Sequence, residues 1–219
     1  MAIYAISDLH LSFKEPKPMD IKEIKEEDTV ILPGDFSWAM KLEDTLQDFK
    51  FLDSLPGKKL LLKGNHDYWW TTLNKMRNFL KENNFNNIDF IYNNSYLIEN
   101  TIICGSRLWS LSDTKDDKKM LEREAKRIEL SLEDGIKKYG KEKEIILCTH
   151  YPPISNSVAS DTEIMKRIIK IFQQYNVSIC IYGHLHGESH KEAIEGEHFG
   201  IDFKLVSGDY INFKAIKLK

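Results

Sequence analysis

The strongest constraint in this chain is a recurrence. Short apolar runs rich in Ile, Val and Leu appear again and again, and most of them stop on a polar residue. They cover 3–6, 29–32, 59–62, 88–92, 101–104, 144–148, 178–182 and 203–206, with 212–217 closing the chain. Runs this short, apolar on both faces, read as strands buried from two sides rather than as helices.

Helical patterns lie between the runs. Segment 43–55 puts Leu46, Phe49 and Leu52 on one stripe, and 70–81 does the same with Leu73, Met76, Phe79 and Leu80. Segment 116–139 spaces Leu121, Ala125, Ile128, Leu132 and Ile136 among charges, and 161–175 carries Ile164, Ile168, Ile171, Phe172 and Tyr175 behind Asp161 and Thr162 as caps. Strands alternating with helices predict an α/β layered fold. The middle differs, because only Asn93-Asn94 and Glu99-Asn100 separate the runs of 88–104; these turn signals predict local antiparallel hairpins, and 203–217 reads similarly. A mixed sheet, or two stacked sheets, is expected. With no repeat and no Gly/Ser linker, 1–219 reads as one domain. The charge-rich stretch 113–144 reads as a helix with a solvated face, the alternative being a helical cap or lid.

Composition narrows the class. A chain of 219 residues can bury roughly 70% of its unfolded surface, so it needs no disulfide staples. Cys104, Cys148 and Cys180 are odd in number and sit in apolar runs, which predicts reduced, buried thiols and a cytoplasmic protein. The opening segment 1–10 lacks the basic start of a signal peptide, and no run approaches the ~20 apolar residues of a membrane span, so no membrane partner is expected. Thirty-one Lys+Arg against 34 Asp+Glu leave a net charge of −3. That balance counts against a nucleic-acid partner held by bulk electrostatics.

The ends of the runs carry the chemistry. Run 3–6 leads to Ser7-Asp8-Leu9-His10, 29–32 to Pro33-Gly34-Asp35, and 59–62 to Lys63-Gly64-Asn65-His66-Asp67. Run 144–148 leads to Thr149-His150, and 178–182 to Gly183-His184-Leu185-His186. In α/β sheets ligand sites gather at the carboxyl ends of strands, so five ends in one sheet can aim these groups at one place. Asp8, His10, Asp35, Asn65, His150, His184 and His186 offer carboxylates, imidazoles and an amide oxygen, with no thiolate. Such a set suits Mn²⁺, Fe or Zn²⁺ and not a Ca²⁺ cage. Seven donors exceed what one ion with an open position takes; they fit two ions sharing a carboxylate. Two Asp charges against two divalent ions leave a positive site, which suits a phosphate oxyanion. Arg107, after another run, reads either as a fork for phosphate or as a surface Arg. Trp38, Trp69, Trp70 and Trp109 follow strand-end loops and read as core anchors or as a stacking rim.

In this order, D-x-H, G-D, G-N-H-D, H and G-H-x-H resemble the motifs of the calcineurin-like metallophosphoesterase superfamily, from Asp8 to His186. The resemblance implies a mixed β-sandwich flanked by helices, with a dimetal site at one edge, Mn being the first candidate and Fe or Zn the others. It implies that Asp8, His10 and His186 bind one ion, that Asn65, His150 and His184 bind the other, and that Asp35 bridges them. His66 would face the phosphate and the leaving group, with Asp67 holding its ring. The implied reaction is hydrolysis of a phosphomonoester or phosphodiester by in-line attack of a hydroxide bridging the two ions. Departures from the family's branches narrow the substrate. Gly34-Asp35-Phe36-Ser37-Trp38-Ala39-Met40 lacks the second Asp and the Arg of the protein Ser/Thr phosphatases, and Asp67 replaces their Glu. Ser7-Asp8-Leu9-His10-Leu11 is similar to the UDP-diacylglucosamine pyrophosphohydrolases, which carry Arg where His66 stands. What remains resembles small stand-alone prokaryotic phosphohydrolases acting on a small phosphorylated substrate, with a nucleotide or phosphodiester preferred. The alternative is a catalytically inactive scaffold for protein–protein interaction on the same fold.

Overall fold

The computed structural model describes residues 1–12, 22–110, 114–156 and 163–219. In chain order the strands are β1 (Ile3–Ala5), β2 (Thr29–Pro33), β3 (Lys58–Leu62), β4 (Ile88–Ile91), β5 (Ser95–Ile98), β6 (Thr101–Gly105), β7 (Glu144–Cys148), β8 (Val177–Tyr182), β9 (Gly196–His198), β10 (Ile201–Leu205) and β11 (Ile216–Lys217). The helices are α1 (Leu46–Asp53), α2 (Leu73–Glu82), α3 (Lys115–Tyr139) and α4 (Glu163–Gln174).

Two mixed sheets result. One has the order β11-β1-β2-β3-β4 and the other β5-β6-β7-β8-β10-β9. The inner strands of both run parallel, while β11, β5 and β9 pair antiparallel at or beside the edges. The two-residue period of a strand sorts each run between two cores. Val30 and Leu32 of β2 face Phe49 and Leu52 of α1 and Met76 and Leu80 of α2. Ile31 between them faces inward, into a layer with Ile103, Ile146 and Ile181 of the other sheet. Likewise Ile145 and Leu147 of β7 meet α3 and α4 through Leu121, Ile128, Ile168 and Phe172. The order is therefore helices, sheet, sheet, helices, and a strand covered on both sides must be apolar on both sides. This is the mixed β-sandwich flanked by helices that the resemblance implied.

Local signals set the helix ends. Thr72 Oγ1 accepts from Lys75 N at the start of α2, and Thr114 Oγ1 accepts from Asp117 N at 3.2 Å at the start of α3. The caps expected for α4, Asp161 and Thr162, lie outside the described residues, as does Asp113 of the stretch read as a cap or lid. The helix that this stretch forms, α3, packs along β5 and β6 with Leu121, Ala125, Ile128 and Leu132 fully buried. It makes a wall of the sandwich.

Two expectations need correcting. Glu99-Asn100 does close a hairpin between β5 and β6. Asn93-Asn94 does not, because β4 pairs parallel with β3 and the chain then crosses to the other sheet. Likewise the hairpin near the end joins β9 to β10, and β11 returns instead to β1 in the first sheet.

Candidate metal centre

The loops after β1, β2 and β3 are stitched together by backbone. Asp8 N donates to Gly34 O and His10 N to Asp35 O, both at 3.0 Å. Close approach is possible because of glycine: a Cβ on Gly64 would stand 2.0 Å from Asp35 Oδ1, and one on Gly183 would stand 2.3 Å from Asp8 Oδ2. Asp8, His10, Asp35 and His184 hold φ of 59°, 49°, 53° and 72°. Left-handed backbone at four side chains of one cluster is strain that the surrounding fold must enforce.

The strand ends bring all seven predicted donors together. One ligand atom from each of Asp8, His10 and His186, and likewise of Asp8, Asp35 and His150, lies within 4.8 Å of the others in its group. His186 Nε2 is 3.0 Å from Asp8 Oδ1 and 3.1 Å from His10 Nε2. Asn65 Oδ1 lies 2.7 Å from His150 Nε2 and 2.9 Å from His184 Nδ1. His66 stands at the rim with its side chain 31% exposed, its Nε2 4.0 Å from Asp35 Oδ2. Its ring is stacked on Trp38 at 4.3 Å. Arg107 does not extend its side chain to these donors: the guanidinium lies 4.4 Å over the Trp109 ring. Its carbonyl instead accepts from His150 N and Tyr151 N.

The supporting contacts were only partly legible in the sequence. Asp67 was expected to hold the ring of His66. It is fully buried and turned the other way, accepting from the backbone N–H groups of Gly64, Asp35, Phe36 and Ser37 and from Trp69 Nε1, at 2.7–3.1 Å. Five donors outweigh one ring, so the carboxylate ties the second loop to the third. Asp209 was missed, since Ser207-Gly208-Asp209 reads as a turn. It lies 2.9 Å from His186 Nδ1 and 3.3 Å from His190 Nε2. The signal was present, because a run ends just before it as with the others.

Ionisation follows from burial and neighbours. Burial opposes charge on His186, but Asp8 and Asp209 outweigh it and lift the ring to about 9. Burial drags His10 and His184 down to about 4, leaving neutral rings. Burial would raise Asp8, yet His186, His150 and Ser7 hold it well below the usual carboxylate range. Burial and the charge of Asp8 push Asp35 up to about 7. Burial also lowers His150 and keeps it neutral.

These residues fit a bound cation. Nδ1 of His150 faces the Pro33 carbonyl at 3.0 Å and so carries the hydrogen of the neutral ring. Its Nε2 lone pair then meets the Asn65 Oδ1 lone pair at 2.7 Å with no proton between them, a contact that a cation relieves. His10 reads differently. Trp38 Nε1 donates to its Nδ1 at 2.5 Å, so the neutral ring keeps its hydrogen on Nε2, and ligation through Nε2 requires the Trp38 bond to give way.

Solved structures agree on the fold. Phosphopantetheinyl hydrolase (PptH) from Mycobacterium tuberculosis superposes with a TM-score of 0.62 at 16% identity, over 97% of this chain and 90% of that one. The protein TT1561 of Thermus thermophilus gives 0.55 at 14% identity, over 98% and 96%. The protein AQ665 from Aquifex aeolicus, of unknown function, gives 0.52 at 20% identity, over 99% and 95%. No curated protein matches the sequence. The profile of the calcineurin-like phosphoesterase family matches residues 1–188. That span reaches from before Asp8 to beyond His186 and so takes in each strand end that meets at the cluster, which makes this chain a member of the calcineurin-like phosphoesterase family.

Proposed function

We propose that the chain is a metal-dependent phosphohydrolase that cleaves a small phosphomonoester or phosphodiester. One observation carries the reading: seven N and O donors from five strand ends converge beside a half-buried histidine. Asp8, His10 and His186 are assigned to one ion, Asn65, His150 and His184 to a second, and Asp35 to both. Mn is the preferred ion, with Fe or Zn as alternatives. Two bound divalent cations would supply positive charge to phosphate oxygens and lower the pKa of water.

The chain's own residues do the rest. Asp209 orients His186 by its contact with Nδ1, leaving Nε2 aimed at the cluster. Asp67 fixes the loops of Asp35 and Asn65 by holding their backbone. Stacking on Trp38 limits the directions in which His66 can point. Burial and the nearby His150 lower the pKa of His66. An arriving phosphate dianion works the other way and favours the charged ring, which hands its proton to the leaving oxygen.

The test is hydrolysis of p-nitrophenyl phosphate and bis-p-nitrophenyl phosphate with added Mn²⁺ and then with a chelator. Turnover that appears with the metal and disappears with the chelator is expected for at least one ester. Its absence for both sinks the proposal, and the ratio of the two rates sorts monoesterase from diesterase.

A further inference from the structure

Beside the cluster lies a cavity of about 360 Å³ walled by the ends of β3, β4 and β6 and by the first half of α3. Its charges are unbalanced: Lys63, Arg107, Arg123 and Arg127 line it against the single carboxylate of Glu124. That carboxylate is fully buried and already engaged by Arg127 Nη1 at 2.6 Å and Ser106 Oγ at 2.5 Å, with Arg123 Nη2 farther off at 3.8 Å. Lys63 makes no side-chain hydrogen bond or ion pair among the described residues and is only partly exposed. Two buried N–H donors that find no acceptor, Arg107 Nε and Trp70 Nε1, belong to residues of this wall. Half-buried cations and unpaired donors are costly unless something arrives to accept from them.

The cavity shares its loops with the candidate metal centre. Lys63 stands two residues before Asn65, and the Arg107 carbonyl holds the backbone of His150. A carboxylate has two oxygens and one charge, enough for one guanidinium fork. A phosphate group offers three oxygens and close to two charges, which matches several cations converging from different elements. The space exceeds a phosphate alone, and the Trp70 ring lies parallel to Tyr92 along its side.

We propose that this cavity is the subsite for a second phosphate of the substrate, carried on the molecule whose scissile phosphate sits at the histidine–aspartate cluster. The inference rests on the phosphohydrolase reading above and narrows its substrate class to compounds with two separate phosphate groups.

Binding is tested apart from turnover, with inorganic phosphate titrated into chelator-treated protein by calorimetry. Wild type is expected to bind it, and Lys63→Met and Arg123→Gln to bind about tenfold more weakly, the worth of one charge-assisted contact. Lys63→Met is also expected to melt higher than wild type without phosphate, since it removes a half-buried charge that has no partner. Arg123 is the second variant because its side chain is 52% exposed, so the fold tolerates its change. No phosphate binding by wild type, or binding untouched by both variants, overturns the subsite.

The Mn²⁺-loaded enzyme is then given adenosine 3′,5′-bisphosphate and adenosine 5′-monophosphate. A KM about tenfold lower for the bisphosphate, with the gap closed by Lys63→Met, is expected. Phosphate binding without that KM difference makes the cavity an effector site and overturns its assignment to substrate. Failure of the p-nitrophenyl assays would sink the hydrolase reading instead, and the two failures are told apart because the phosphate titration needs neither metal nor turnover.

Discussion

His66 and Asp35 stand 4.0 Å apart, yet they lead to different predictions. The His66 side chain comes no nearer than 4.0 Å to Asp35, and the backbone N–H that donates to Asp35 Oδ1 survives the change, so His66→Ala should leave metal content unchanged while turnover falls about 10²–10⁴-fold, the usual worth of a positioned acid or base. Metal analysis beside kinetics checks it, and a variant that loses its metal would make His66 a ligand. Asp35, near 7, and His186, near 9, hold protons that a divalent ion must displace. Protons and ion compete for the same lone pairs, so affinity should fall as pH drops below these values. Mn²⁺ should bind at least about tenfold more weakly at pH 6 than at pH 8. Calorimetry in buffers of different ionisation enthalpy measures both the affinity and the protons released; a flat profile would contradict the assignment. At this scale the sequence spoke clearly where a residue ended an apolar run, as Asp8 and His150 do. It was ambiguous for Asp67, because the chain order that puts a carboxylate after a histidine does not say which way it turns.

Among the elements, α3 shows how a charged segment is fastened. Ser131 Oγ accepts from Gly105 N at 2.9 Å, at the end of β6, and donates to Asn94 O at 2.6 Å, just before β5. Ser131→Ala leaves the buried Gly105 N–H and the half-buried Asn94 carbonyl without this partner and should cost about 1–3 kcal/mol of stability. Chemical denaturation reads it, and a loss within error would mean that water replaces the hydroxyl. The helix itself was legible from the spacing of Leu121, Ala125, Ile128 and Leu132. Its seat was not, because a stripe names a face and not the strands beneath it. The same limit explains Asn93-Asn94: a turn signal reports that the chain bends and is silent on which sheet receives it.

For the whole molecule, the seven donors come from the ends of β1, β2 and β3 in one sheet and of β7 and β8 in the other. A cation held by both sets would rivet the sheets at one edge and bind the folded chain only. At a thousandfold excess over Kd such binding contributes about 4 kcal/mol, or about 8–16 °C in Tm for a chain of this size. Scanning calorimetry with Mn²⁺ and then chelator tests this, and an unchanged Tm would mean that the folded chain does not bind the ion. The net charge of −3 averages over a surface that includes the basic cavity beside the cluster. The average therefore says little about the sign that a substrate meets. The described helices include none long and apolar enough to cross a membrane.

The left-handed backbone at Asp8, His10, Asp35 and His184 also has a use for anyone who wants this sandwich without its chemistry. Each such residue costs about 1–2 kcal/mol relative to a relaxed conformation, and glycine escapes that cost. Asp8 and Asp35 must stay, because their carboxylates accept from the backbone N–H groups of His184 and His66, which Gly would leave unpaired. His10, whose side chain is partly exposed, holds no backbone group, so writing Gly there should relieve one strained residue while removing a donor from the cluster. The residue a biochemist would last alter to keep activity is thus the first that a protein engineer would alter to obtain a robust, inert carrier.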